Sequence, residues 1–201
     1  MCTCFLIGLV AGGFGIHKAV TAVQADKELE QGIQLPIIMY HGILKDTKRQ
    51  GKYVISPELL ESDMKYLKEN GYTPVFMQDV IDYVKNGTPL PEMVDSGYVE
   101  IQNHTYNLHA SNQKQVGIKK RKGESESDYQ ARITQDIQTA QNSITEHIGT
   151  APTTFVYPFG AFSDTTESYI RSMGFQATFV CESRTNILTQ NPDCLYGLGR
   201  Y

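Results

Sequence analysis

The stretch that decides the fold reads YVEIQNHTYNLH and runs from Tyr98 to His109. Its first four residues, 98–101, form a short strand-like run. The next eight residues place two imidazoles, those of His104 and His109, five positions apart. Because sites in α/β barrels and open parallel sheets form at the carboxyl ends of strands, this loop is a candidate functional site.

The two histidines have two interpretations. Neutral imidazole is the commonest nitrogen ligand for zinc and its first-row neighbours, and both rings can reach one ion if the loop curls back. In that case Thr105 is expected to help by bonding a loop backbone group. The alternative is a pair of exposed loop histidines that bind nothing. A zinc site also needs a third protein ligand, and no neighbouring residue supplies one.

The segments on either side of this loop predict an α/β protein. Strands are predicted over 35–40, 72–76, 98–101, 153–157 and 175–180. The first of these is an apolar run typical of a strand buried on both faces. Helices are predicted from Pro57 to Gly71, around 80–84, over 127–148 and over 164–173. The alternation of strands and helices predicts a largely parallel sheet, open or closed into a barrel.

Two other strand ends carry residues capable of chemistry. In Tyr157-Pro158-Phe159-Gly160, Pro158 has no amide proton, so the next N–H belongs to Phe159. A fixed backbone N–H at a strand end can stabilise an oxyanion, although a plain strand-ending turn fits the same residues. His41 ends the first strand and could face the same edge, or it could be a hydrogen-bonded structural histidine.

The N-terminal segment differs from the rest of the chain. Residues 5–16 form an apolar run of 12 residues with four glycines. Such a run suits a secretory leader or membrane anchor, and a buried strand or helix is the alternative. We predict a signal peptide or anchor over 1–25, a linker over 26–34 and the domain over 35–201. A secreted or extracytoplasmic protein, with membrane contact through this segment, follows from that prediction.

The net charge argues against one class of partner, whereas the cysteine content leaves the pairing of the cysteines open. The chain of 201 residues has a net charge of -4 and a pI of about 5.7, which argues against a nucleic-acid partner. Cys181 and Cys194 could pair in an oxidising compartment, but two free thiols are equally allowed. No disulfide is predicted.

Taken together, three blocks resemble the polysaccharide deacetylases of the NodB-homology type, which are carbohydrate esterase family four. The blocks are PIIMYHGI (36–43), SGYVEIQNHTYNLH (96–109) and TTFVYPFGAFSD (153–164), and the resemblance runs from about residue 35 to the end. It implies a deformed (β/α) barrel and a hydrolase that depends on a divalent metal, with zinc the default. The implied substrates are acetylated polysaccharides such as peptidoglycan, chitin-like polymers or exopolysaccharide.

The resemblance also implies roles for individual residues. The family motif H-[ST]-x-x-H appears here in a form one residue longer, which makes His104 and His109 the metal ligands. The family motif R-x-P-[YF] corresponds to residues 156–159, so that Phe159 supplies the oxyanion N–H beside Tyr157 and Pro158. Val156 stands where the family has arginine. His41 and Tyr106 are the predicted substrate contacts.

The family's T-F-D-D-G motif has no counterpart in this chain. Its first aspartate is the family's general base and its second is a metal ligand, and no two aspartates are adjacent anywhere here. Residues 92–97 read as the end of a helix without its beginning, so we predict a gap near 91–92 and an incomplete barrel.

No histidine follows His147 to act as the family's general acid. We therefore expect a deacetylase of impaired activity. The alternatives are a glycan-binding module without catalysis and an inactive, truncated fragment.

Overall fold

The computed structural model describes residues 5–11, 32–49, 51, 53–90 and 100–201. Within them the α-helices are α1 Pro57–Glu69, α2 Met77–Asn86, α3 Glu126–Ile148 and α4 Thr166–Ser172. The strands are β1 Phe5–Ala11, β2 Ile33–Leu35, β3 Ile37–Tyr40, β4 Gly42–Ile43, β5 Val54–Ile55, β6 Tyr72–Val75, β7 Ser111–Asn112, β8 Gln115–Val116, β9 Thr154–Val156, β10 Ala177–Phe179 and β11 Asn186–Leu188.

These elements form two compact units. The first contains the described residues up to Glu100, together with Arg184–Pro192 and Arg200–Tyr201; the second contains Ile101–Ser183 and Asp193–Gly199. Both units mix helices and strands, so the α/β class predicted from sequence is confirmed. No closed barrel is formed by the residues that the structure describes.

The first unit is built on short, mainly antiparallel pairings. Strand β1 pairs antiparallel with both β3 and β6, and β2 pairs antiparallel with β11. Strands β4 and β5 run parallel. The single strand predicted over 35–40 is divided at Pro36, which has no N–H to donate to a ladder. Its expected burial on both faces is wrong as well, because three of the four β3 residues are only half-buried.

Local capping explains both helices of this unit. The Ser56 hydroxyl accepts a hydrogen bond from the Leu59 N–H at 3.1 Å, and Pro57 occupies the first helical position of α1, as predicted. At the start of α2, the Glu100 carboxylate accepts from the Met77 N–H at 2.8 Å. That helix ends at Gly87, whose φ of 67° is one that glycine adopts without strain.

The segment predicted to be a leader contains a strand. Phe5–Ala11 has strand geometry, which is the alternative that the sequence left open. Export and membrane attachment stay predictions. Within the described ranges, no helix combines the length and the apolar character needed to cross a bilayer.

The second unit has a parallel pair of strands, β9 and β10, at its centre. Its hydrophobic core packs α3 and α4 against these strands through the buried residues Leu108, Ile118, Tyr129, Ile133, Ile137, Phe155, Tyr157, Ile170, Phe175 and Val180. Of the strand predicted over 98–101, the structure describes Glu100 and Ile101. These two residues are not in a strand, so the prediction is wrong for them. Pairing with β9 occurs later, as a single parallel bridge between Asn103 and Phe155. Residues 91–99, including the predicted gap, lie outside the described residues.

Helix α3 carries the apolar stripe predicted for it. Ser125 is its N-cap, and Gly149 ends it with a φ of 82°. The first four stripe residues, from Tyr129 to Ala140, are buried. The stripe then leaves the core, and Ile148 is 56% exposed.

An ion pair fastens the segment before α3 to that helix. Glu124 Oε1 lies 2.6 Å from Arg132 Nε, Oε2 accepts from Arg132 Nη2 at 2.8 Å, and Oε2 also accepts from the Arg121 N–H at 2.8 Å. The hydrogen bonds from Arg132 lower the pKa of Glu124 from 4.5 to about 2. A carboxyl whose pKa is lower in the folded chain stabilises it fully above pH 4.5, and this contribution is lost as the pH falls towards 2.

Replacing Glu124 with glutamine should therefore lower the free energy of unfolding at pH 7 by about 2 kcal/mol, because Arg132 loses its buried partner. Urea unfolding at pH 7 and again near pH 2.5 measures this, and the difference from wild type should shrink at the lower pH. Glu61→Gln is the matched control, since its partner Lys65 and Glu61 itself are each 67% exposed. We expect less than about 0.5 kcal/mol from that variant. Equal losses in the two variants would contradict the prediction.

Candidate active site

The loop of residues 102–109, which we call the histidine loop, curls back on itself. The ring centroids of His104 and His109 lie 4.9 Å apart with their planes at 65°. The His109 ring also contacts the Phe159 ring, with centroids 4.4 Å apart. The structure therefore brings together three residues that the sequence had singled out from two separate motifs.

A hydrogen bond defines the tautomer of His104. Its Nδ1 lies 2.7 Å from the carbonyl oxygen of Val156, the last residue of β9. Since a carbonyl can only accept, Nδ1 carries the proton in the neutral ring and Nε2 carries the lone pair. Metal-ligating histidines are usually oriented by a bond of this kind from the other ring nitrogen.

The backbone of the loop is strained between the two histidines. Thr105 has a φ of 71°, a left-handed conformation that is rare for a β-branched residue and costs about 1–3 kcal/mol. Its N–H donates to Asn103 Oδ1 at 3.0 Å. The predicted bond from the Thr105 hydroxyl is wrong, because this buried oxygen has no partner among the described residues. Strain of this kind concentrates at functional sites, which supports a role for the loop.

The turn after β9 has a second left-handed residue. Phe159 has a φ of 58°, and its N–H donates to no other residue that the structure describes. The neighbouring amides close the turn instead, from Gly160 to the Tyr157 oxygen and from Ala161 to the Pro158 oxygen, both at 3.0 Å. Phe159 is 46% exposed and its ring contacts that of His109, and the role of its N–H towards an oxyanion stays a prediction.

Tyr157 and Pro158 shape this turn from inside. Both are buried, and the Tyr157 ring stacks on Phe162 with centroids 4.7 Å apart. Burial raises the pKa of the Tyr157 phenol well above its usual value of 10. Tyr157 and Pro158 therefore lie inside the turn that carries Phe159, and their catalytic roles stay predictions.

The two predicted substrate contacts lie in different units. Tyr106 belongs to the histidine loop and is 65% exposed. His41 follows β3 in the first unit, and its ring lies 5.1 Å from that of Tyr53, centroid to centroid. Their roles towards substrate stay predictions.

His104 and His109 provide two of the donors that a divalent transition ion needs. Two neutral imidazoles are ligands that zinc and its neighbours prefer. Among the described residues, the structure shows no group of three histidine, cysteine or carboxylate side chains placed to hold a metal. Cys181 and Cys194 are not joined in a disulfide.

Sequence reasoning missed two residues that hold the loop. Asn103 is fully buried, and its side-chain amide donates to the Ile137 oxygen and to Gln141 Oε1. Asp136 accepts hydrogen bonds from the loop N–H groups of Tyr106 and Asn107. The sequence offered one signal for this role. Asp136 directly precedes Ile137, so its carboxylate lies at the border of the apolar stripe of α3.

Comparison with known proteins defines the class. The profile of the polysaccharide deacetylase family matches residues 56–178. The chain belongs to the polysaccharide deacetylase family. No curated protein sequence matches it.

Solved structures agree with this family. The de-N-acetylase from Aggregatibacter actinomycetemcomitans is 25% identical with a TM-score of 0.60, over 80% of this chain and 91% of the other. IcaB from Ammonifex degensii is 20% identical with a TM-score of 0.58, over 75% and 85%. The Streptococcus pyogenes deacetylase PplD, solved with acetate, is 14% identical with a TM-score of 0.60, over 84% and 92%. The last two likenesses concern the fold.

Proposed function

We propose that this chain carries a metal-dependent deacetylase site on the histidine loop, directed at an N-acetylated polysaccharide and of impaired activity. The observation that carries the proposal is the convergence of the His104 and His109 rings beside Phe159, whose N–H donates to no other described residue. Cleavage of an acetyl group requires metal ligands and an oxyanion donor close to one another, and this convergence supports those roles.

Each residue has a definite task in this reaction. A divalent ion held by His104 and His109 would act as a Lewis acid on the acetyl carbonyl. The Phe159 N–H donates to the carbonyl oxygen as negative charge develops on it. The Val156 oxygen keeps the proton of His104 on Nδ1, so that Nε2 remains a ligand.

The impairment follows from the missing aspartate pair. No two aspartates are adjacent in the chain, so the residue expected to take a proton from the attacking water has no counterpart. General-base catalysis is typically worth about 10²–10⁴ in rate. A site with two protein ligands in place of three should also have a lower affinity for the metal.

The substrate class is argued from the surface and from a relative. Tyr106 and Phe159 expose aromatic faces, which suit the apolar faces of sugar rings. The relative that is 25% identical is a de-N-acetylase, which favours N-acetyl over O-acetyl groups. Polymers of this type, such as peptidoglycan, chitin-like chains and exopolysaccharide, lie outside the cytoplasm, which supports the proposed extracytoplasmic location.

A second candidate function is glycan binding without turnover. The same exposed aromatic faces favour it, and so does the missing aspartate pair. It differs from the first in needing no metal, so oligosaccharide binding should then be unchanged by a chelator.

One experiment separates the two functions. Acetate released from N-acetylated chito-oligosaccharides is measured over long incubations with zinc and with EDTA, and oligosaccharide binding is followed by calorimetry. Slow release that EDTA abolishes supports the deacetylase. Binding without release under both conditions supports the second function, and neither binding nor release contradicts both.

A further inference from the structure

The histidine loop is held from helix α3 by one carboxylate. Asp136 Oδ1 accepts from the Tyr106 N–H and Oδ2 from the Asn107 N–H, both at 2.9 Å. With the bond from the Thr105 N–H to Asn103 Oδ1, three consecutive N–H groups end on side-chain oxygens. Hydrogen bonds to a charged acceptor are about twice as strong as neutral ones, so Asp136 is the strongest of these restraints.

We infer that Asp136 is a positioning residue for the metal site: it holds residues 105–107 in the curled form that places His104 and His109 together. The bonded amides lie between the two histidines, whose rings could otherwise separate because the loop backbone is strained at Thr105. The carboxylate touches neither ring in this role. This inference rests on the proposed metal site, although the curled loop itself can be tested without metal.

The position of Asp136 on α3 is itself fixed by packing. Asp136 lies between the buried residues Ile133 and Ile137 of α3, so its backbone is fixed in the core. Asn103 adds a second link, because its amide donates to the Ile137 oxygen of the same helix. Side-chain hydrogen bonds thus connect the loop to one turn of α3. A substitution at Asp136 should therefore change the positions of the two histidine rings.

Two substitutions of Asp136 should lower the metal affinity to different extents. In Asp136→Asn, one of the two oxygens becomes an NH₂ group that faces a backbone N–H, so one bond is replaced by a repulsion. In Asp136→Glu, the charge and both oxygens are kept, but the longer arm displaces them. Loss of a residue that orients a ligand typically costs about 10–100-fold in metal affinity, and we expect this for Asp136→Asn, with a smaller loss for Asp136→Glu.

The matched control removes a charge from the same helix. Glu146 is exposed near the end of α3, and Glu146→Gln lowers the negative charge by one without touching the loop. If affinity depended only on the net charge of the chain, both neutralising variants would lose affinity alike. The positioning role instead predicts an unchanged affinity for Glu146→Gln.

The test combines metal titration with a measurement on the metal-free chain. Zinc affinity is determined by competition with a chromogenic chelator at a temperature at which every variant is folded. NMR on the metal-free chains follows the amide exchange of Tyr106 and Asn107 and the Overhauser effect between the two histidine rings. In Asp136→Asn, we expect amide exchange at least about tenfold faster and a weakened ring-to-ring effect.

The outcomes are distinct. Wild-type affinity and wild-type NMR signals in Asp136→Asn would overturn the inference. If Asp136→Asn does not fold, the same measurements on Asp136→Glu decide, and unchanged values there overturn it as well. If the wild-type chain binds no zinc, the proposed function fails, and the NMR comparison alone still supports or overturns the role of Asp136 in the loop.

Discussion

Replacing His109 with alanine should weaken zinc binding by more than about a hundredfold. Removal of a residue that merely orients a ligand typically costs about 10–100-fold, and the His109 imidazole converges with that of His104 as a proposed ligand. Its ring is exposed and contacts Phe159, so its loss should leave the core of the second unit intact. Competition with a chromogenic chelator measures the affinity, and circular dichroism checks the fold.

The control for this variant is another histidine of the same chain. His147 is exposed at the end of α3, and its Nδ1 bonds only within that helix, to the Ser143 oxygen. His147→Ala should leave zinc affinity unchanged, whereas His104→Ala should reproduce the loss seen with His109→Ala. Equal zinc affinity in all three variants and the wild type would contradict the site.

Restoring an aspartate pair should raise acetate release from N-acetylated chito-oligosaccharides by about 10²–10⁴, the usual contribution of a general base. A segment that carries the T-F-D-D-G motif of the family would be inserted between Pro91 and Glu92. In the proposed site, the converging rings of His104, His109 and Phe159 would lie beside such a base. The rate is measured as acetate released per unit time under saturating zinc.

The same insertion with its first aspartate changed to asparagine is the control, because it restores chain length without the base. A gain in rate that is equal in both insertions would come from folding rather than from proton transfer. A folded insertion that binds zinc but releases no acetate would contradict the deacetylase proposal.

Local signals in the sequence predicted most of the helices. Ser56 with Pro57, and Gly149 after a regular apolar stripe, place helix ends through hydrogen bonds and backbone angles that involve only neighbouring residues. The strands were predicted less accurately. A strand depends on its partner, so the run at 35–40 divides at Pro36. Of the strand predicted over 98–101, the described residues Glu100 and Ile101 are not in a strand, and a bridge to β9 lies at Asn103.

The types of residue that could form the site were readable from the sequence, because imidazoles and a proline-led turn have fixed chemistry. The sequence by itself therefore determined the α/β class, the helix ends and the identity of His104, His109 and Phe159 as candidates. Only the tertiary structure decided that they meet. The bond from His104 to Val156 spans 52 positions, and the bonds from Asp136 to the loop span 30 and 29. Contacts of that separation depend on how helix α3 and strand β9 pack together, which no local pattern encodes.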